Sequence, residues 1–324
     1  MDRISSALLL LVAIPACSDS NTALSDLPAA AADAVCTYQA RCGQMPDVAT
    51  CKAATQTDTA QLSADVASGK TKYDGKAAAA CLDMFRSESC NLSVQGGQPE
   101  PQACKDAFKG TVVAGGVCYA DTECASGDCS GTVCSGSSTC CPGVCRASAS
   151  ASTIPVGGDC SGSGATCVSD AFCSYGLTTT CQAKTAMGQA CDVSLPAESC
   201  VGGAYCMADG PTTGTCGKLP TEGQTCQPTG IGYVLACDSL LDYCDSVSLK
   251  CVPKIAIGGD CSTGATCVAY ATCDSTGQCV SRPRAGESCD DFNGPHCLGS
   301  LECTSGTAGG GSLCALPPAT TVCQ

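Results

Sequence analysis

Apolar and polar positions divide the chain into three textures. The first is an unbroken apolar stretch, Ala7 to Ile14, behind a single Arg3. The second, from about Ala23 to Gly116, is Ala-rich with helical spacing and carries helix start and stop residues. Asp26 is placed to cap a helix from Pro28 to Arg41, closed by Gly43. Asp47 opens a second, from Val48 to Ala67, ending near Gly69. Asp74 opens a third, Lys76 to Ser87, and a fourth follows Pro101, from Gln102 to Lys109 with Gly110 as its stop. The third texture begins after Gly115, where helical spacing ends and Gly, Ser, Thr, Asp and Cys dominate. Short β-hairpins and loops are expected there.

That third region repeats. A Gly stands three residues before the first Cys of each of six units: Gly115, Gly157, Gly188, Gly223, Gly258 and Gly286. Each unit is assigned four cysteines. Unit one takes Cys118, Cys124, Cys129 and Cys134; unit two, Cys160, Cys167, Cys173 and Cys181; unit three, Cys191, Cys200, Cys206 and Cys216. Unit four takes Cys226, Cys237, Cys244 and Cys251; unit five, Cys261, Cys267, Cys273 and Cys279; unit six, Cys289, Cys297, Cys303 and Cys314. First-Cys spacings of 42, 31, 35, 35 and 28 mark a tandem array. The recurring Gly implies a turn needing positive φ or close backbone approach. An aromatic precedes the third Cys in three units (Phe172, Tyr205, Tyr243) and is expected to pack on the unit's disulfides.

The full chain of 324 residues has 35 Cys, 37 Gly and no Trp. One large hydrophobic core is not expected, and covalent staples must replace the missing burial. A disulfide closing a 15-residue loop contributes about 3 kcal/mol, so two bridges account for the stability of a small unit. The helical region has six further cysteines, Cys36, Cys42, Cys51, Cys81, Cys90 and Cys104, whose pairing stays open among 15 connectivities. Cys140, Cys141, Cys145 and Cys323 fall outside these sets. Three is odd, so one of the cluster is expected to pair outside it; Cys323 is one candidate, and a free or intermolecular thiol at Cys323 is the alternative. The expected fold class is small disulfide-rich modules: an N-terminal disulfide-stapled α-helical domain followed by tandem four-Cys repeats of short β-hairpins and loops. The expected boundaries are 26–114 for the helical domain, 115–146 for the first unit with its Cys cluster, 147–156 for a linker and 157–324 for five units and a tail.

Cysteine at this density points to an oxidising compartment. Residues 1–16 read as an export signal, and the apolar stretch is too short to span a bilayer. Ile14-Pro15-Ala16-Cys17 resembles the bacterial lipobox, which implies lipidation of Cys17, residues 17–25 as a tether, and parity for the other 34 cysteines. Ser18 in place of Asp implies the outer membrane or cell surface; plain secretion is the alternative.

The net charge is -14, with ten acidic and eight basic residues in 23–116 and eighteen against seven from 117 onward. Such an arm repels phosphate, so nucleic acid and anionic headgroups are disfavoured as partners, and the lipid anchor is the only membrane contact expected. Solubility explains the charge, with loose Ca²⁺ binding or docking to a basic partner as the sharper reading. Catalysis finds little material. His296 is the only His and adjoins a bridging Cys. Cys141 and Cys145 have a spacing that zinc tolerates, and Cys140-Cys141 is a vicinal pair, but an exported chain favours disulfides over either use. No cofactor, metal or catalytic residue is assigned, and Asn91-Leu92-Ser93 is a weakly informative glycosylation sequon.

Gly116 to Cys129, with its spaced C…EC…G-x-C pattern, is similar to the Dickkopf N-terminal cysteine-rich module. Tyr73-Asp74, Ala80-Cys81-Leu82, the run Gly110 to Gly115 and the G-x-x-C units behind a lipobox resemble the large cysteine-rich lipoproteins of myxobacteria. The second resemblance covers nearly the whole chain and implies an extracytoplasmic protein without catalytic residues. The expected function is a non-enzymatic, surface-anchored scaffold for an unidentified protein or glycan, with Tyr175, Tyr205, Tyr233, Tyr243 and Tyr270 as possible contacts. A proteinase inhibitor acting through Ala183-Lys184 or Arg282-Pro283-Arg284 is the alternative, and a Dickkopf-like secreted ligand the second alternative.

Overall fold

The computed structural model describes residues 20–56, 59–95, 101–131, 140–147, 153–161, 166–175, 179–192, 199–208, 213–226, 237–290, 295–304, 312–319 and 321–323. Cys17, the export signal, Cys134 and Tyr233 lie outside them.

The Ala-rich region forms helices α1 (Leu27–Arg41), α2 (Val48–Ala54), α3 (Ala60–Ala67), α4 (Gly75–Ser87), α5 (Leu92–Gln95) and α6 (Gln102–Ala107). Asp47 caps α2 by accepting from Thr50 N–H, and Asp74 caps α4 by accepting from Lys76 and Ala77 N–H. Asp26 makes no side-chain cap; a 3₁₀ turn, Leu24–Asp26, runs directly into α1. The helix expected from Val48 to Ala67 is broken in two. Thr55 is extended (φ -120°, ψ 123°), and the Thr-rich stretch around it combines β-branched residues with side chains that compete for backbone hydrogen bonds. The last helix ends at Ala107, two residues early, because Phe108–Gly110 becomes strand β2 and pairs antiparallel with β1 (Thr71–Tyr73).

Small side chains allow these helices to approach closely. Ala34, Ala78 and Ala107 are buried with Leu27 and Leu82, and Tyr73 and Phe108 cover them with ring centroids 5.3 Å apart. Three disulfides complete the domain: Cys36–Cys51 ties α1 to α2, Cys81–Cys104 ties α4 to α6, and Cys42–Cys90 closes a separation of 48 residues.

Behind it, the six units share one disulfide pattern, first Cys to third and second to fourth. In each, the third and fourth cysteines stand directly opposite on an antiparallel hairpin, as Cys273 does to Cys279 and Cys303 to Cys314. Opposed residues project to the same face, so both bridges stack on one side of each hairpin. Unit one corrects the assignment: its fourth cysteine is Cys145, bonded to Cys124, because residues between the third and fourth cysteines lengthen the hairpin and displace the cysteine count. Cys140 bonds Cys323 across 183 residues, and Cys141 is also disulfide-bonded.

The linker boundary also moves. Thr153–Ile154 pairs in parallel with Thr166–Cys167, and Ile154 packs on the cysteines of unit two. The end of the Ser-Ala stretch therefore belongs to the unit, since Ile154 supplies apolar area that composition alone hides.

The units also fold back on the helical domain. Met45, Cys51 and Ala54 are buried with Leu298 and Leu301 of unit six, and Tyr270 of unit five packs on the same cluster. Leu92 and Ser93 donate their N–H groups to Asp238 O (2.7 Å) and Asp238 Oδ1 (2.8 Å) of unit four. The Tyr205 hydroxyl of unit three donates to Leu92 O at 2.8 Å. Thr71 Oγ1 of β1 donates to Thr122 O of unit one at 2.8 Å. A one-dimensional array would contact only its neighbours; this one wraps its own N-terminal domain.

Candidate functional site

The recurring glycines build the most regular surface feature. Gly115, Gly157, Gly188, Gly223, Gly258 and Gly286 all have φ between +79° and +87°. Each is the third residue of a four-residue turn closed by an N–H···O bond, as from Gly259 to Ala256 O (3.0 Å) and from Gln189 to Ala186 O (3.1 Å). Positive φ at that place defines a type II turn, which favours Gly. Each Gly then donates to the carbonyl of the unit's fourth Cys, at 2.7 to 2.9 Å, and that Cys N–H donates back to the residue after the Gly. Three residues before the Gly, the carbonyl of Val112, Ile154, Thr185, Pro220, Ile255 or Pro283 accepts from the residue following the second Cys. Turn, hairpin and both disulfides thus form one rigid frame, repeated six times.

What the frame holds out is variable. The second turn residue is Ala114, Val156, Met187, Glu222, Ile257 or Ala285, and all six are exposed. Val156, Met187 and Ile257 each expose about half their surface (54, 50 and 50%). The turn already fixes the backbone at these positions, so binding there pays for side-chain ordering but not for ordering a loop.

A second feature is a cleft of about 390 Å³ between α2 and unit six, walled by Ala49, Ala53, Ala54, Leu298 and Leu301 with Arg284 at its edge. The charge of Arg284 reaches Asp47, whose carboxyl is held below its usual range chiefly by the Thr50 hydrogen bonds.

Three of the tyrosines make contacts inside the molecule. Tyr205 and Tyr270 join their units to the helical domain, and the Tyr243 hydroxyl meets the Thr266 backbone of unit five. Burial raises the Tyr205 and Tyr243 phenols above their ordinary value, as such positions require. Of the three aromatics before a third Cys, Phe172 is buried, and Tyr205 and Tyr243 are partly buried. Tyr175 lies in the strand Ala171–Tyr175.

Arg282-Pro283-Arg284 is not a projecting loop. Arg282 N–H donates to Tyr270 O, Pro283 is buried, and Pro283 O accepts from Leu298 N–H at 2.9 Å. Lys184 N–H is likewise tied to Asp170 O at 2.7 Å. His296 is exposed beside Cys297, which bonds Cys314. The sequon Asn91-Leu92-Ser93 is the segment docked against units three and four.

Sulfurs of the first, second and fourth cysteines lie within 4.8 Å of one another in units one to five. Oxidation to disulfides consumes the thiolates that a metal would need. Several acidic side chains serve as loop caps. Asp159 and Asp260 accept from Ser161 and Ser262 N–H, and Asp274 accepts from Thr276 and Gln278 N–H. These hydrogen bonds hold all three carboxyls below their usual range.

Comparison with known protein families, curated proteins and solved structures finds no match for this chain.

Proposed function

We propose that this chain is an exported, lipid-anchored and non-enzymatic binding scaffold whose variable turn tips contact a protein partner. The observation that carries the reading is the contrast between an invariant six-fold frame and unlike exposed tip residues, three of them large and apolar. The density of disulfides fits an exported protein, and the lipobox-like Ile14 to Cys17 supports anchoring at the outer membrane or cell surface. Apolar tips favour a protein over a glycan, since a protein offers recesses that desolvate Val, Met and Ile. The inhibitor alternative draws no support from Arg282 to Arg284, since Pro283 at their centre is buried and the segment does not project.

The test compares envelope capture by the wild type with that by a Val156→Asp, Met187→Asp, Ile257→Asp triple variant. The partner bound by the wild type is expected to fall at least about tenfold in the variant, a loss of roughly 1.4 kcal/mol or more. Equal capture by both would move the contact off the tips. The intact mass of membrane-extracted protein reports the anchor separately, as a lipid increment on Cys17.

A further inference from the structure

The disulfides of this molecule are not equally protected. Among those whose two cysteines are both described, all but Cys81–Cys104 and Cys140–Cys323 contain at least one buried cysteine. Thiol–disulfide exchange expels one of the two sulfurs as a thiolate, and a thiolate made in an apolar interior is a poor leaving group. A bridge with a buried member therefore resists opening, whichever sulfur is attacked. The frames add a second protection. Cys261–Cys273, for example, is backed by Cys267–Cys279 and by the hairpin that pairs Ala271–Ser281, so an opened pair stays in place and recloses.

Cys81–Cys104 lacks the first protection and has the second, because α4 and α6 stay packed through Ala78, Leu82 and Ala107. Cys140–Cys323 lacks both. It joins residues 183 apart, and after the strand Leu313–Ala315 the described residues form no helix or strand. The side chain of Gln61 holds the tail there, with Nε2 donating to Cys323 O at 2.9 Å and Oε1 accepting from Cys323 N–H at 2.6 Å. The bridge also has an approach. Cys323 lines a cavity of about 320 Å³ against α3, roughly twice a cavity that holds a benzene ring. Asp65 and Lys70 in its wall give it one acidic and one basic group, so it is a polar recess and admits a hydrophilic reagent.

We propose that Cys140–Cys323 is a thiol-exchange site, a clasp that a dithiol opens in the folded protein while the six frames keep their bridges. One thiolate of the dithiol attacks a sulfur of the bridge and expels the other as a thiolate. Its second thiol then displaces the mixed disulfide, so the reagent leaves as its own disulfide. Two electrons and two protons pass from the dithiol to Cys140 and Cys323, which end as thiols. With the bridge open, Gln61 alone restrains the tail, and a tail that leaves α3 takes one wall of the cavity with it. Separation of the two thiols then favours the open form, as an exposed and unbacked bridge is the more readily reduced. The proposal is independent of the partner contact at Val156, Met187 and Ile257.

The oxidised full chain tests this with dithiothreitol as the dithiol. Aliquots are alkylated through the reaction and the labelled cysteines are mapped by mass spectrometry. Cys140 and Cys323 are expected to be labelled together, at least about tenfold faster than Cys81 and Cys104 or any frame cysteine. Opening of Cys81–Cys104 or of a frame bridge at the same rate overturns the proposal. Equilibration in mixtures of reduced and oxidised dithiothreitol gives a second reading that access alone does not move. Half of Cys140–Cys323 is expected to be reduced at a dithiol-to-disulfide ratio at least about tenfold lower than Cys81–Cys104 requires. Equal ratios would show that the tail stays in place after reduction, and that result also overturns the clasp. Hydrogen exchange on the doubly alkylated product is expected to quicken in α3 and to leave the Cys279 and Cys314 amides slow, since those donate to Gly259 O and Glu287 O within their own frames.

Discussion

Gly258 shows what one residue does for a whole unit. Its φ of +84° lies in the region that L side chains rarely adopt, and a Cβ there meets nothing within 4 Å. Gly258→Ala therefore adds backbone strain without a clash, and it is expected to lower stability by about 1 kcal/mol. Denaturant unfolding of the oxidised protein measures the loss, with Ile257→Ser as the control expected to stay within about 0.5 kcal/mol of the wild type. Asp274 works through its acceptors rather than its charge, holding two backbone N–H groups and the Thr276 hydroxyl in the hairpin turn of unit five. Because those bonds depress its pKa, its contribution is present above the ordinary carboxylate range and is lost as pH falls through the depressed value. Hydrogen exchange at the Gln278 amide, relative to its intrinsic rate, is expected to quicken in acid for the wild type. In Asp274→Ala it should be fast at every pH.

At the scale of the element, two positions in each frame vary together for a steric reason. Where the residue three before the turn glycine is Val112, Ile154 or Ile255, the residue after it is Gly116, Gly158 or Gly259. A Cβ on these glycines would stand 2.5 Å from a γ-methyl of the branched residue. Where the first position holds Thr185, Pro220 or Pro283, the second is Gln189, Gln224 or Glu287. Gly259→Gln alone is expected to cost about 1–3 kcal/mol by overpacking, and Ile255→Thr with Gly259→Gln, which copies unit three, to recover at least half of it. A double-mutant cycle on thermal midpoints decides the case, and additive losses would show that the two positions are independent. This level of structure was largely legible in the chain. Evenly placed Cys and Gly mark the frames because only Gly suits the turn and only Cys makes the bridges. Reading failed where a longer hairpin displaced Cys145, and where Ile154 lay inside a stretch with linker composition. The split between α2 and α3 and the pairing of β1 with β2 were also missed, since segments of three to eight residues carry too little periodicity to separate helix from strand.

The whole molecule is held by contacts that have no periodic signature. Leu298 and Leu301 of unit six belong to no repeating position of the frame, yet they close a core with Met45 and Ala54 from the other end of the chain. Gly299 sits between them with φ +62°, where a Cβ would stand 2.5 Å from Met45 Cε, so the backbone of unit six is pressed against α2. Ser300 confirms the approach, donating from N–H and Oγ to Ala54 O at 3.2 and 2.8 Å. Because each unit owns two disulfides, docking and folding separate energetically. Leu298→Ser with Leu301→Ser removes buried apolar area worth about 2–5 kcal/mol per site in a well-packed core. Both bridges of unit six, Cys289–Cys303 and Cys297–Cys314, are expected to form in that variant, since neither depends on α2. Unit six remains joined to unit five by the chain and to Cys140 through Cys323, so it swings away only as far as those two tethers allow. Small-angle scattering should report a larger radius of gyration, and hydrogen exchange should quicken in α2 while remaining slow at the Cys314 amide, which donates to Glu287 O within the unit. An unchanged radius would mean that the Asp238, Tyr205 and tail contacts hold the wrap closed without the apolar cluster. In that case the rigidity of the tip array would rest on hydrogen bonds and the Cys140–Cys323 bridge.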